Sequence, residues 1–359
     1  MPFSRQPVLA CRALILVLLL TGVPSLAQVE SDLEESVEVS RVLIDVRAVD
    51  GTGHALEGLD AEDFEVLIDG VPAEVLSVDW FPAGPASSAV AEEVKALAGS
   101  AVETIDPIVE ESERPYGGRL IVFLFQRYLH KLRTPGIMRR AAHARRIVED
   151  LPPGDRVAIL GHDTRLELLI DFTDDREARL EVLENAIVVL HRPEPIPPGP
   201  EPSMARHLDF DAARDAANPE AGLLAIGDAL QGLKGPKSLF FFAWGMGRMT
   251  GSGTYMNPEY DPARVSLVSA RTSVYTFDTT DADSHSLEGT LMKVSEDTGG
   301  VYQKTHLFAE QAVKRVQRML SGHYVLSVAR PDYPTKRHVI EVSLTRKKGR
   351  IYARTFYDD

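Results

Sequence analysis

The sequence predicts a layered α/β domain set between the two halves of a β-sandwich, and three observations carry that reading. Arg119-Leu-Ile-Val-Phe-Leu-Phe125 is a continuous apolar run of the kind found in strands buried on both faces. Strand-like and helix-like segments then alternate as far as residue 320. Short alternating strands stand at both termini, and neither set is large enough to bury a core alone. The economical solution is one sandwich built from residues 28–81 and 321–359.

At the N-terminal side, Val37, Val39, Val42, Ile44 and Val46 alternate with polar neighbours and run into the turn residues Asp50-Gly51-Thr52-Gly53. Leu59-Asp60-Ala61-Glu62-Asp63-Phe64 reads as a one-turn helix capped by Asp60. Residues 64–69 and 73–81 read as strands paired through Asp69-Gly70. Residues 82–118 are rich in Ala, Ser, Pro and Glu and short of β-branched or aromatic residues, so they read as an acidic linker.

Residues 119–320 form the α/β part. Strands are expected at 119–125, 156–160, 166–170, 238–243 and 273–277. Helices are expected at about 135–150, 174–189, 219–233, 259–271, 286–298 and 306–320. Gly161-His162-Asp163 looks like a hairpin turn. His191 to Pro202, with the Asp/Ala-rich stretch after it, reads as an extended or mobile insertion. The tail returns to strands at 322–329, 337–344 and 350–357, the last two joined at Lys347-Lys348-Gly349.

Composition narrows function by exclusion. The 359 residues carry a formal net charge of −14, so nucleic acid and anionic membrane surfaces repel the protein. Residues 1–27 pair two arginines with an 11-residue apolar run, Ala13 to Val23, and end in Ser25-Leu26-Ala27. That is the pattern of a cleaved signal peptide, too short to span a bilayer. The expected mature protein begins near Gln28, is periplasmic or secreted, and has no stable membrane insertion. The single cysteine, Cys11, leaves with the leader. Cysteine nucleophiles, disulfides and Cys-ligated zinc are thereby excluded from the mature chain.

Read in order, Leu59-Asp-Ala-Glu-Asp-Phe-Glu-Val-Leu-Ile-Asp-Gly70, Leu120-Ile-Val-Phe-Leu-Phe125, Leu151-Pro-Pro-Gly-Asp-Arg-Val-Ala158, Phe172-Thr-Asp-Asp175, Val274-Tyr-Thr-Phe-Asp278 and Gly299-Gly300 resemble the bacterial, acidobacterial-type VWFA-related family. Gly322-His-Tyr-Val-Leu and His338-Val-Ile-Glu-Val extend the resemblance over nearly all of the mature chain. It implies a von Willebrand factor type A domain, a doubly wound, mostly parallel sheet whose carboxyl-end rim normally holds a divalent cation that recruits an acidic group from a partner. The implied ligands are an Asp-x-Ser-x-Ser loop, a Thr and a second Asp.

None of the three corners survives. Gln126 stands where the first Asp should be, with Tyr128 and His130 in place of the serines; Leu224 falls near the Thr corner, and Trp244-Gly245 replaces Asp-Gly. Mg²⁺ takes hard oxygen ligands and water, so the adhesion site is read as degenerate, without metal or other cofactor. Arg127 adds repulsive charge beside it. The expected function is a non-enzymatic interaction or scaffold protein whose rim, including Asp278, contacts a protein partner of unknown identity.

Two alternatives remain. In one, Asp278-Thr-Thr-Asp281-Ala-Asp283-Ser-His285 supplies substitute oxygens for a cation-assisted adhesin; in the bland version it caps the helix near Ser286 through Asp283 or Ser284. The other is a periplasmic hydrolase using His162, Asp163 or His285. The sequence carries no nucleophile elbow, since Gly251-Ser252-Gly253 is too short and sits in a flexible Gly/Thr loop. It also lacks His-Glu-x-x-His and a Gly-rich phosphate loop. Trp244, Met246, Met249, Tyr255 and Met256 form an apolar, adaptable stretch, and Met138 to Arg146 form a basic helix surface.

Overall fold

A computed structural model describes residues 41–83, 115–127, 134–185, 196–306, 309–333 and 336–358. The leader at 1–27, nearly all of the linker, and Tyr128 and His130 lie outside the described residues. No helix among the described residues is long and apolar enough to cross a membrane.

The apolar run is β5 (Leu120–Gln126), at the centre of a six-stranded sheet. From it the chain passes through α1 (Thr134–Glu149) to β6 (Arg156–His162) and β7 (Leu166–Thr173), then α2 (Arg176–Asn185). Two short helices follow, α3 (Met204–His207) and α4 (Phe210–Asp215), then α5 (Pro219–Gln231) and β8 (Lys237–Ala243). A small hairpin, β9 (Arg248–Thr250) and β10 (Gly253–Tyr255), precedes α6 (Tyr260–Ser269), β11 (Thr272–Asp278), α7 (Glu288–Asp297), β12 (Tyr302–Lys304) and α8 (Ala309–Met319).

The sheet order is β12-β11-β8-β5-β6-β7, parallel throughout except for the antiparallel pair β6–β7. The chain winds outward from β5 in one direction and from β8 in the other. This is the doubly wound arrangement, whose topological switch point lies between β5 and β8. Successive β5 side chains enter opposite cores: Leu120, Val122 and Leu124 pack with α3, α5, α6 and α7, while Ile121, Phe123 and Phe125 pack with α1, α2 and α8. Across the second face Phe125, Phe242 and Phe277 stack at 4.8 Å between neighbouring rings. Such layering keeps the strand ends in fixed register, which is what positions the rim.

The terminal strands form two further sheets. One has the order β15-β1-β13-β4, from β1 (Arg41–Val49), β4 (Val75–Pro82), β13 (Gly322–Ala329) and β15 (Arg350–Ala353). The other has the order β16-β14-β2-β3, from β2 (Phe64–Ile68), β3 (Val71–Ala73), β14 (Arg337–Leu344) and β16 (Phe356–Asp358). Each mixes strands from both termini, and Ile44, Val46, Val66, Ile68, Leu326, Val328 and Ile340 belong to one buried apolar cluster.

Several expectations need correction. Residues 73–81 do not pair with 64–69: only Val71–Ala73 does, and after Glu74 the chain crosses to the other sheet and pairs with β13. The expected strand 350–357 is two strands in two sheets, broken where Thr355 N donates to Asp297 O and Thr355 O accepts from Ile340 N. The Asp/Ala-rich part of the insertion is helical, because Ser203 and Asp209 accept backbone N–H groups at the starts of α3 and α4. Gly251-Ser252-Gly253 forms the turn region of the β9–β10 hairpin, where Thr250 Oγ1 accepts from Ser252 N.

Candidate functional site

In open α/β sheets ligands bind outside the carboxyl ends of the strands at the switch point. Here that position is filled by Gln126, the last residue of β5, which is 6% exposed. Its Nε2 donates to Gly245 O at 2.9 Å, and its Oε1 accepts from Trp244 N at 3.0 Å. One neutral amide therefore ties the end of β5 to the loop leaving β8, using a donor and an acceptor at once. The same loop is strapped twice more: Thr279 N and Oγ1 donate to Ala243 O at 2.9 and 3.0 Å, and Met246 N donates to Thr290 Oγ1 at 3.1 Å. Gly245 has φ +147 and packs its bare Cα against Leu287, so a side chain there would be strained and would clash.

Of the residues singled out in the sequence, Gln126, Trp244 and Gly245 are brought together. Trp244 is half-buried, and Leu224 on α5 packs at the edge of the core beneath the first face. Met246 is buried, so it belongs to the core and not to an adaptable surface. Beyond it, on the β9–β10 hairpin, Met249 is 65% and Tyr255 48% exposed.

Arg127 departs from the expectation of repulsive charge. It is 1% exposed, donates its backbone N–H to His162 O at 2.6 Å, and forms an ion pair with Glu167 of β7. The guanidinium lies against Gly161, where any Cβ would collide with it. Beside it His162 is buried in strand β6, not in the turn, and its Nε2 stands 3.0 Å from Ala216 O. Burial pushes the His162 imidazole below its usual range, only partly opposed by the carbonyls around it and by Asp163 and Glu220.

That shift fixes a pH dependence. The unfolded chain takes up a proton near the ordinary histidine value of about 6.5, whereas the folded chain resists it to lower pH. The stability contribution of neutral His162 is therefore complete above that value and is lost as pH falls from it toward the folded-state value. Denaturation midpoints measured from pH 4.5 to 8 should fall on the acid side in the wild type, and less steeply in His162→Gln. Parallel profiles would contradict the assignment.

Asp278 ends β11, is 2% exposed, and is saturated by the protein itself. Oδ1 accepts from Thr280 N at 2.9 Å and Thr280 Oγ1 at 2.8 Å; Oδ2 lies 2.8 Å from His285 Nε2 and accepts from Tyr302 Oη at 2.6 Å. Burial and the Asp278 carboxylate push the Tyr302 phenol up, keeping it a donor. Asp281 and Asp283 lie 3.8 and 4.0 Å from His306. Neither Asp283 nor Ser284 caps a helix, since α7 starts at Glu288 without a side-chain cap. Among the described residues no group of three or more His, Cys, Asp or Glu is placed to hold a metal ion.

No family model matches the sequence, and no curated protein does. Among solved structures the chain is similar to the human COPII-coat protein Sec24c, with 11% identity over 66% of this chain and TM-score 0.41. The match spans 43% of that protein's chain. It is also similar to von Willebrand factor type A from Catenulispora acidiphila, with 10% identity over 85% of this chain and 74% of that one, TM-score 0.40. A third similarity is to the ArnB paralog VWA2 from Sulfolobus acidocaldarius, with 8% identity over 88% and 75% of the two chains and TM-score 0.33.

Proposed function

We propose that the chain is an exported, non-enzymatic interaction or scaffold protein, a type A domain inserted in a β-sandwich made by its terminal strands. Its rim meets a partner protein directly, without a bridging cation. The observation that supports this most is the Gln126 bridge. A cation at the switch point needs an anionic oxygen and small hydroxyl ligands; the groups present are a neutral amide already bonded on both ends, an indole-bearing loop and a leucine. The donor set does not fit a hydrated Mg²⁺. Asp278, the carboxylate that ends β11, has four hydrogen-bonding groups of its own protein around it.

Contact chemistry is instead supplied by the hairpin that follows Trp244. Met249 and Tyr255 expose a flexible thioether side chain and an aromatic ring with a polar tip, the kinds of side chain that anchor protein interfaces. The non-enzymatic reading draws on the same geometry: His162 is sealed in the core, and no described hydroxyl nucleophile is hydrogen-bonded to His285.

Photocrosslinking in the native host tests the proposal. A crosslinking residue at 249 or at 255 should capture the same protein, with equal yield with and without EDTA. One at Val71, 57% exposed on the distant β3 edge, should not capture it. Loss of the adduct in EDTA would favour the cation-assisted adhesin. No shared adduct from 249 and 255 would overturn the rim as a docking surface.

A further inference from the structure

At the opposite end of the parallel sheet, beside the amino ends of β5 and β8, lies a partly open cavity of about 30 Å³. That is room for more than one water-sized group. Four basic side chains, Arg47, Arg119, Lys234 and His323, line it, and among the described residues no carboxylate does. In a chain of net charge −14, a cavity whose described charged lining is all basic is the reverse of what average composition would produce.

Among the described residues the charges around it do not cancel. Arg119 is matched by Asp155, to which Nε donates at 3.0 Å, and it also donates through Nη1 to Leu320 O at 2.6 Å. Asp45, two residues from Arg47 on β1, is committed to Arg271, whose Nε donates to Oδ2 at 3.0 Å and whose Nη2 donates to Oδ1. Burial alone would raise the Asp45 carboxyl, but Arg271, with help from His323 and Arg354, outweighs it and holds the group well below the usual carboxylate range. Asp45 is thus an anion with its own counter-ion.

Arg47 is left over. It is 6% exposed; Nη1 donates to Ser273 Oγ at 3.1 Å, and the guanidinium lies 5.5 Å from the Tyr275 ring centroid. Its Nε has no hydrogen-bond partner, and no ion pair joins it to any described carboxylate. A buried cation without a counter-ion is costly. A guanidinium facing a cavity is also the natural fork for a planar or tetrahedral oxyanion. On the solvent side of the same cavity, Lys234 is exposed and has no ion pair among the described residues.

We propose that this cavity is a binding site for a small oxyanion of the phosphate or sulfate class, with Arg47 as its buried contact and Lys234 as its outer one. The site is independent of the rim and of whatever partner the rim takes. Because both probes stabilise proteins generally at high concentration by exclusion from their surfaces, the test uses low millimolar sodium phosphate and sodium sulfate. Sodium chloride at matched ionic strength is the control.

With the mature chain, phosphate at roughly twentyfold its Kd should raise Tm by about 2–4 °C, and chloride should not. Calorimetric titration should show a single site, weakened about fivefold to tenfold in Lys234→Gln, which removes one charge-assisted contact at an exposed position. Arg47→Met should abolish the phosphate response while melting near the wild-type temperature without anion, since it deletes an unpaired buried charge. An equal Tm rise in chloride would overturn the site. So would a phosphate response unchanged in Lys234→Gln or retained in Arg47→Met.

Discussion

Deletion of residues 321–359 is expected to strip the N-terminal strands of their amide protection, slowing of exchange at 41–49 and 75–82 falling by about a hundredfold or more. The reason is topological. β13 lies between β1 and β4, paired antiparallel with both from Arg41↔Ala329 to Val46↔Tyr324 and from Gly322↔Pro82 to Val328↔Val75. Without it, β1 and β4 have no common neighbour. β14 gives β2 its longer partner, from Phe64↔Leu344 to Ile68↔Ile340. Exchange in β5, β8 and β11 supplies the internal reference, since their sheet contains no strand from the deleted segment.

A single side chain makes the same point on a smaller scale. Tyr324 is 1% exposed, its ring centroid lies 4.7 Å from that of Trp80 in a tilted contact and 5.6 Å from that of Phe64 edge-to-face, and its hydroxyl donates to Leu56 O at 2.8 Å and accepts from Leu59 N at 3.1 Å. Tyr324→Ala should cost about 3–5 kcal/mol, the range for emptying a buried aromatic site. Unchanged exchange at 41–49 after the deletion would show that the terminal strands do not depend on one another.

Much of this architecture was readable because burial dictates residue type. A strand covered on both faces must be apolar without interruption, and Leu120–Phe125 and Leu239–Ala243 are. Where the sequence misled, long-range contacts with no local signature decide the outcome. The run Arg350–Tyr357 contains neither Gly nor Pro, yet it changes sheet because Arg354 forms an isolated bridge with Thr298 and Thr355 bonds Asp297. Likewise Ala73-Glu74-Val75 has no turn residue at the point where the chain crosses between sheets.

At the rim, the neutral or apolar character of Gln126, Leu224 and Trp244 was legible, since charge and size are properties of the residue. The bridge that Gln126 makes was not, because a bridge is a property of geometry. One signal was available: Gly161 lies in strand β6, opposite Glu167. A glycine inside a strand often marks the close approach of another group. The group is the Arg127 guanidinium, whose partner Glu167 lies forty residues on and becomes its neighbour only when β6 and β7 close.

Replacing Gln126 should have the largest effect of any single change at the rim. In Gln126→Leu the Gly245 carbonyl and the Trp244 N–H lose their bridge in a site closed to water, and each unsatisfied group costs about 1–3 kcal/mol. A loss of about 2–4 kcal/mol is expected. Gln126→Glu separates the bridge from simple packing because it keeps the shape and changes one donor. The ionised carboxylate still accepts from Trp244 N but faces Gly245 O with no proton to give; the protonated acid restores the donor. Its folded-state pKa is therefore raised above the ordinary glutamate value of about 4.3. A raised acid contributes its full stability below the unfolded value, and that contribution is lost as pH rises through the folded one. Urea melts of Gln126→Glu and the wild type should therefore converge as pH falls toward 4 and diverge toward 8, while the deficit of Gln126→Leu stays the same across the range. If the Glu variant shows a constant deficit, the amide is not the strap between β5 and β8, and the rim is held by the Thr279 and Thr290 contacts alone.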